Sequence, residues 1–158
     1  ISTSLCRKPT LVELVDVAAF HRVNKMNSEI VSPDQWTAGI VKTLMQAIAA
    51  TKMFHWATTN FAAHQSSGLL ADALYAKMDL LVEAMLSKGT KSGLKDYNVT
   101  ISTNYDGFRD ALRQVQMMLR ALDDRDMSPF ARETQILNLR DDILSSIDTF
   151  LYLDKQFG

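Results

Sequence analysis

Apolar residues recur along this chain at the three- and four-residue spacing of a helix, and five stretches carry that rhythm. The first is short. Thr10 can cap a helix to about residue 24, with Leu11, Leu14, Val15, Ala18 and Ala19 as its apolar face. NSEIVSP breaks it, and Ser32-Pro33-Asp34 is a start signal: a capping hydroxyl, a proline at the first helical position and an acid in the first turn. The pattern predicts a helix over 34–58 with Trp36, Ile40, Leu44, Ile48 and Thr51 on its stripe, which His55 continues. After the break ATTN, a helix over 61–87 ends at Lys88-Gly89. Asn104 or Thr103 can cap a helix over 105–123. Ser128-Pro129 signals a last helix over 129–156, with Ile136, Leu139, Ile143, Ile147, Phe150 and Leu151 on its stripe.

The connections decide the architecture. Those after the first and third long helices are short, which predicts two antiparallel hairpins. The one spanning 88–104 is long. Four long helices with a long crossover between the second and third are the connectivity of a ferritin-like four-helix bundle. The expected class is therefore all-α: residues 1–33 as a tail with an extra short N-terminal helix, and 34–158 as the bundle.

Composition narrows this further. A chain of 158 residues, 47% hydrophobic, with 6 Gly and 3 Pro, is long enough for one helical domain with its own core. A net charge of −1 gives no general reason to bind nucleic acid. Cys6 is the single cysteine, so no internal disulfide and no cysteine-based zinc site can form, in keeping with a reducing, cytoplasmic compartment. No apolar run reaches the roughly 18 residues of a membrane span. The opening ISTSLCRKPT has neither an initiator Met nor the layout of a signal peptide, which leaves the true N-terminus processed or outside this sequence.

The stretch from His55 to Glu83 carries the candidate chemistry. His64, Asp72, Asp79 and Glu83 fall within about 100° of arc on one helix, on the stripe that also holds Leu86. Acids and an imidazole on a face expected to be apolar cost several kcal/mol to bury unless they are paired or hold a metal. A di-iron site inside one chain uses Glu-x-x-His motifs. None of Glu13, Glu29, Glu83 and Glu133 has a histidine three residues later. His64 and Asp79 are 15 residues apart, about 22 Å along a helix, too far to share an ion within a chain. Two copies of the helix, antiparallel across a two-fold axis, would bring His55 and His64 of one to Asp79 and Glu83 of the other. That donor set suits Fe(II), Mn(II) or Zn(II).

HW, then NF, then a histidine, then Asp-x-x-x-Glu in the next helix resembles the Dps-type miniferritins, a ferritin-like family. Asp148, Phe150, Leu151 and Tyr152 in the final helix resemble that family's last helix. The likeness covers about residues 34–157. It implies an iron-storage protein and ferroxidase, an oxidoreductase that takes electrons from Fe(II) with peroxide or oxygen and holds ferric mineral in a hollow homododecamer of 23 symmetry. It implies metal ligands at His55, His64, Asp79 and Glu83, with Glu83 bridging, and places the site between subunits. Two features depart from the pattern. Gly68 stands where the family has an acid one turn after the second histidine, with Asp72 as a candidate replacement, and the segment between His55 and His64 is shorter than usual. Fewer carboxylates favour weak binding of a second iron, or a single Zn(II).

Plainer readings stand beside these. His55 next to Trp56 can be a core histidine, and Asp79 with Glu83 a solvated face with Lys77 as counter-charge. Met45, Met53, Met78, Met85, Met117 and Met118 read as core filler. His21 reads as a surface or interface residue. Asp123, Asp124 and Asp126, in the turn before the last helix, are candidates for a pore lining. Arg7, Lys8 and the terminal LDKQFG are too few positive charges for the Lys-rich tail on which family DNA binding depends, so weak or no DNA binding is expected. The alternative function is a structural or assembly protein, such as a virion component, that keeps the bundle with a decayed metal site.

Overall fold

A computed structural model describes residues 31–89, 94 and 96–157. The expected helix over 10–24, with Cys6, Arg7, Lys8 and His21, lies outside the described residues. Those residues hold four α-helices, one 3-10 turn and no strand: α1 Pro33–Ala57, α2 Phe61–Leu86, α3 Tyr105–Arg120, the 3-10 turn Ala121–Asp123, and α4 Thr134–Phe157.

Three of the four starts are written in local chemistry. Ser32 accepts a hydrogen bond from the Gln35 N–H at 3.2 Å, and the Gln35 side chain accepts one from the Ser32 N–H at 3.2 Å. This capping box satisfies two donors that the first turn leaves without partners. Asn60 accepts from Ala63 N–H at 3.0 Å and starts α2 after a three-residue link. Asn104, rather than Thr103, caps α3 by accepting from Gly107 N–H at 2.7 Å.

Directions follow from side-chain meetings. Phe54, near the end of α1, stacks on Phe108, in the first turn of α3, with ring centroids 4.6 Å apart. Trp36, at the start of α1, donates its indole N–H to the Met127 carbonyl at 3.2 Å, beyond the end of α3. Helices α1 and α3 therefore run antiparallel, as do α1 and α2 across their short link. Gln116 and Tyr105 of α3 bond to Asp148 and Asp154 of α4, which makes that pair antiparallel too. The end of α2 returns to the start of α1, where Gly89 packs against Pro33 and Asp34. The start of α3 lies at the other end of α1, with Tyr105 5.6 Å from the Phe54 ring. The 87–104 connection therefore joins opposite ends of the bundle, and Gln46 of α1 donates to the Thr100 carbonyl within it at 2.9 Å.

The core is a single cluster. Trp36, Ile40 and Leu44 of α1 meet Leu70, Leu74, Leu81 and Met85 of α2, Phe108, Leu112 and Leu119 of α3, and Ile136, Ile143, Ile147 and Phe150 of α4. Met85 and Met118 are core residues as expected, whereas Met45 and Met117 are exposed, which corrects their reading as filler. Two boundaries are also corrected. The third long helix is α-helical only to Arg120 and tightens into the 3-10 turn that covers the rest of the expected span to Asp123. The last helix begins at Thr134, not at Pro129. Ser128 does accept a backbone bond, from Phe130 N–H at 3.1 Å, but within a series of turns. Met127 and Phe130 are buried there and plug the end of the bundle, so tertiary packing overrides the Ser-Pro start signal.

Candidate metal centre

Only two of the proposed ligands come together within the chain. His55, in the last turn of α1, and His64, in the first turn of α2, stack with ring centroids 3.9 Å apart and planes 25° from parallel. The contact is reciprocal. His55 Nδ1 lies 2.6 Å from the His64 carbonyl oxygen, and His64 Nδ1 lies 2.8 Å from the His55 carbonyl oxygen. A carbonyl only accepts, so each Nδ1 carries a proton and donates it. In a neutral ring this leaves the Nε2 lone pair free, and a backbone carbonyl holding the other nitrogen is the usual support of a metal-ligating imidazole. His55 is half-buried and His64 exposed.

The stacking limits what the pair can hold. An imidazole binds a metal in its own plane, about 2.0–2.1 Å from the nitrogen. Rings stacked this closely in near-parallel planes cannot both reach one ion as they stand, so each would serve a separate ion.

Gly68 lies one turn after His64, beneath the His55 ring. A Cβ built on Gly68 would stand 3.0 Å from His55 Cε1, 3.2 Å from Nδ1 and 3.7 Å from Nε2. The position where an acid was looked for is covered by an imidazole.

The three acids lie elsewhere. Asp72, Asp79 and Glu83 are all exposed on α2, so the face expected to be apolar faces solvent in the single chain, and its acids incur no burial cost there. The buried stripe of α2 is Ser67, Leu70, Ala71, Leu74, Leu81, Ala84 and Met85 instead. Asp72 pairs with Lys52 of α1 at 2.9 Å. Lys77 does not pair with Asp79 or Glu83: it turns to α4, donating to the Asp142 carbonyl at 3.0 Å and to Ser146 Oγ at 2.7 Å. Among the described residues no three His, Cys, Asp or Glu gather into a metal-binding group. Of the suggested pore acids, Asp123 lies 2.9 Å from buried Arg140. Asp124 accepts from the Asp126 N–H at 2.9 Å and shapes the turn.

Sequence reasoning missed what surrounds the acids. Leu69, Tyr75 and Leu80 are large, exposed side chains on the solvent side of α2, and Phe61 and Trp56 extend this surface at its histidine end. Leu69 is 72% exposed and Trp56 70% exposed. A long helix that shows apolar residues interspersed with acids to solvent is an unusual surface for a monomer. No helix among the described residues is long and apolar enough to cross a membrane. Comparison of the chain with protein-family models, with curated proteins and with solved structures finds no match.

Proposed function

We propose that this chain is a Dps-like miniferritin, which binds Fe(II) between two copies of itself, oxidises it with hydrogen peroxide or dioxygen, and retains the ferric product within a closed shell. The reciprocal His55–His64 pair carries the reading. Its two Nδ1 protons are committed to backbone carbonyls, which leaves an Nε2 lone pair on each of two neighbouring rings, one for each ion. A second copy, running antiparallel across a two-fold axis near Asp72, would bring its Asp79 and Glu83 to this pair. Asp72 lies midway between His64 and the acidic pair, with Leu69 and Tyr75 three residues to either side. Those exposed side chains would form the apolar part of the contact. The long connection between the second and third helices, which joins opposite ends of the four-helix bundle, is what a ferritin-like bundle would require and supports the same reading.

Iron is the substrate. Two Fe(II) ions each give one electron to a peroxide, which takes two protons and leaves as two waters. The protein's part is to hold two ions side by side and to supply carboxylates for the ferric charge. Zinc or manganese would occupy the same donors. The experiment is anaerobic Fe(II) titration followed by peroxide, with ferric absorbance and native mass read on one sample. Fast oxidation by a particle of about twelve subunits supports the proposal, and oxidation no faster than Fe(II) in buffer overturns it.

A second reading is favoured by Gly68 and by the lack, among the described residues, of a carboxylate gathered with the histidines: an assembly protein that keeps the bundle without the chemistry. Purified material would then form the shell yet hold no stoichiometric iron or zinc.

A further inference from the structure

Gly68 sits inside α2, away from both ends, in ordinary helical backbone. Glycine there is less favourable than alanine, because it loses more freedom on folding and contributes no side chain. The backbone angles do not require it, so the reason is space. The three nearest heavy atoms to a Cβ at this position all belong to the His55 ring, at 3.0, 3.2 and 3.7 Å. That ring is not a loose end that can swing away. Its Nδ1 is held by the His64 carbonyl at 2.6 Å, and one face is stacked on His64 at 3.9 Å.

We propose that Gly68 is the positioning residue of the histidine pair: its bare backbone is the surface on which the His55 imidazole lies. The two departures noted in the sequence, a shortened turn after His55 and no acid at 68, are then halves of one exchange. The imidazole fills the volume that a side chain at 68 would need. Among the described residues this corner of the site holds two imidazoles and no carboxylate, so the acidic ligands proposed above would come from a second copy. That last consequence rests on the metal-site reading. The packing relation itself does not.

The test is a double-mutant cycle on the full chain without metal: Gly68→Ala, His55→Ala and both, compared by thermal midpoint and by imidazole ¹⁵N spectra. Gly68→Ala is expected to lower the midpoint in the native chain and to erase the signature of an Nδ1-protonated ring at His55. In the His55→Ala background the same substitution is expected to raise the midpoint, because the clash is gone and alanine is the better helix former. A Gly68→Ala chain that fails to fold alone but folds with His55→Ala gives the same answer. The proposal is overturned if Gly68→Ala has the same sign and size in both backgrounds, if neither carrier of it folds, or if the His55 ring signals are unchanged. Fe(II) oxidation by the native chain is measured separately, so loss of the ferroxidase reading and loss of this one are distinguishable.

Discussion

Lys52 of α1 and Asp72 of α2 form an ion pair at 2.9 Å, placing the acid nearest the proposed two-fold axis beside a cation of its own chain. The pair is solvent-exposed on the Asp72 side, so its contribution to stability is small, on the order of 0–1 kcal/mol. Its bearing is on ligand assignment. Asp72 is eight residues beyond His64, about 12 Å of helix rise, and it is already neutralised. Asp72→Asn is therefore expected to leave Fe(II) oxidation within about twofold of the native rate and the melting temperature nearly unchanged. A stopped-flow ferric absorbance trace checks both the rate and the amplitude. A loss comparable to that of removing a histidine would return Asp72 to the ligand set.

Asp79 and Glu83 have the opposite profile. Both are exposed, and among the described residues no side chain pairs with either. Replacing both with Ala is expected to change stability by less than about 0.5 kcal/mol each, as for ordinary surface positions, while peroxide-driven Fe(II) oxidation falls to the rate in buffer. Mixing this variant with a His55→Ala, His64→Ala variant gives a sharper check. Mixed dimers have one interface site with all four ligands and one with none, so part of the activity should return.

How far the sequence carried this reading differs from residue to residue. Ser32-Pro33 and Asn104 were legible because capping chemistry is local: a side-chain oxygen, a backbone N–H three residues on, and nothing distant to overrule them. Ser128-Pro129 uses the same chemistry and misled, because buried Phe130 and Met127 commit that segment to turns, and burial depends on the whole bundle. The long crossover was readable as length alone. Within the site, the spacing of His64 and Asp79 already forbade a shared ion in one chain. The relation of His55 to Gly68 could not be read, since the missing acid and the shortened turn look like two independent losses until the ring is placed over the glycine. The clue available in the sequence was a glycine inside a strong helix.

Arg140 is 9% exposed and lies between two carboxylates. Its Nη1 lies 2.9 Å from Asp123, without the alignment a hydrogen bond needs, and its Nη2 lies 2.8 Å from Asp141. A buried guanidinium stripped of one partner loses attraction and keeps its desolvation cost. Asp123→Asn is expected to destabilise the bundle by about 1 kcal/mol, since Asp141 remains. Arg140→Ala should cost about 2 kcal/mol through lost packing as well as charge. Urea unfolding curves at neutral pH measure both. A reversed order would show that the under-paired buried charge, not the packing of the guanidinium's stem, dominates at this position.

Tyr105 supplies a pH signature at the other end of the bundle. Burial raises its pKa above 10.0, the hydrogen bond and charge of Asp154 push it further, and Arg109 partly offsets the rise. The folded state thus holds the phenol proton more tightly than the unfolded chain. This contribution to stability is fully present below the ordinary phenol pKa of about 10 and is lost as pH rises through the folded value. Absorbance titration at alkaline pH should show a late tyrosinate component that loses amplitude in Tyr105→Phe. Tyr97, also raised by burial, supplies the late component that remains. No change in amplitude would place the Asp154 contact outside the folded ensemble in solution.

The exposed face of α2 makes the last prediction, which needs no iron. The chain has two tryptophans, and they differ in use. Trp36 is 1% exposed, with its indole N–H on the Met127 carbonyl, so it reports only on folding. Trp56 is 70% exposed, directly after His55. If two copies meet along α2, Trp56 passes from water toward an apolar contact and its emission shifts to the blue as concentration rises. Trp56→Phe should abolish that shift without altering the Trp36 signal. Leu69→Glu places a charge at the centre of the apolar part of the contact and its two-fold image, where like charges would meet. It is expected to leave the helical circular dichroism intact, remove the concentration dependence of Trp56 and lower the native mass to the monomer. Iron oxidation should fall in the same samples, because each half-site then lacks its acids. A Leu69→Glu chain that still assembles and oxidises iron would move the two-fold axis to another face of the bundle.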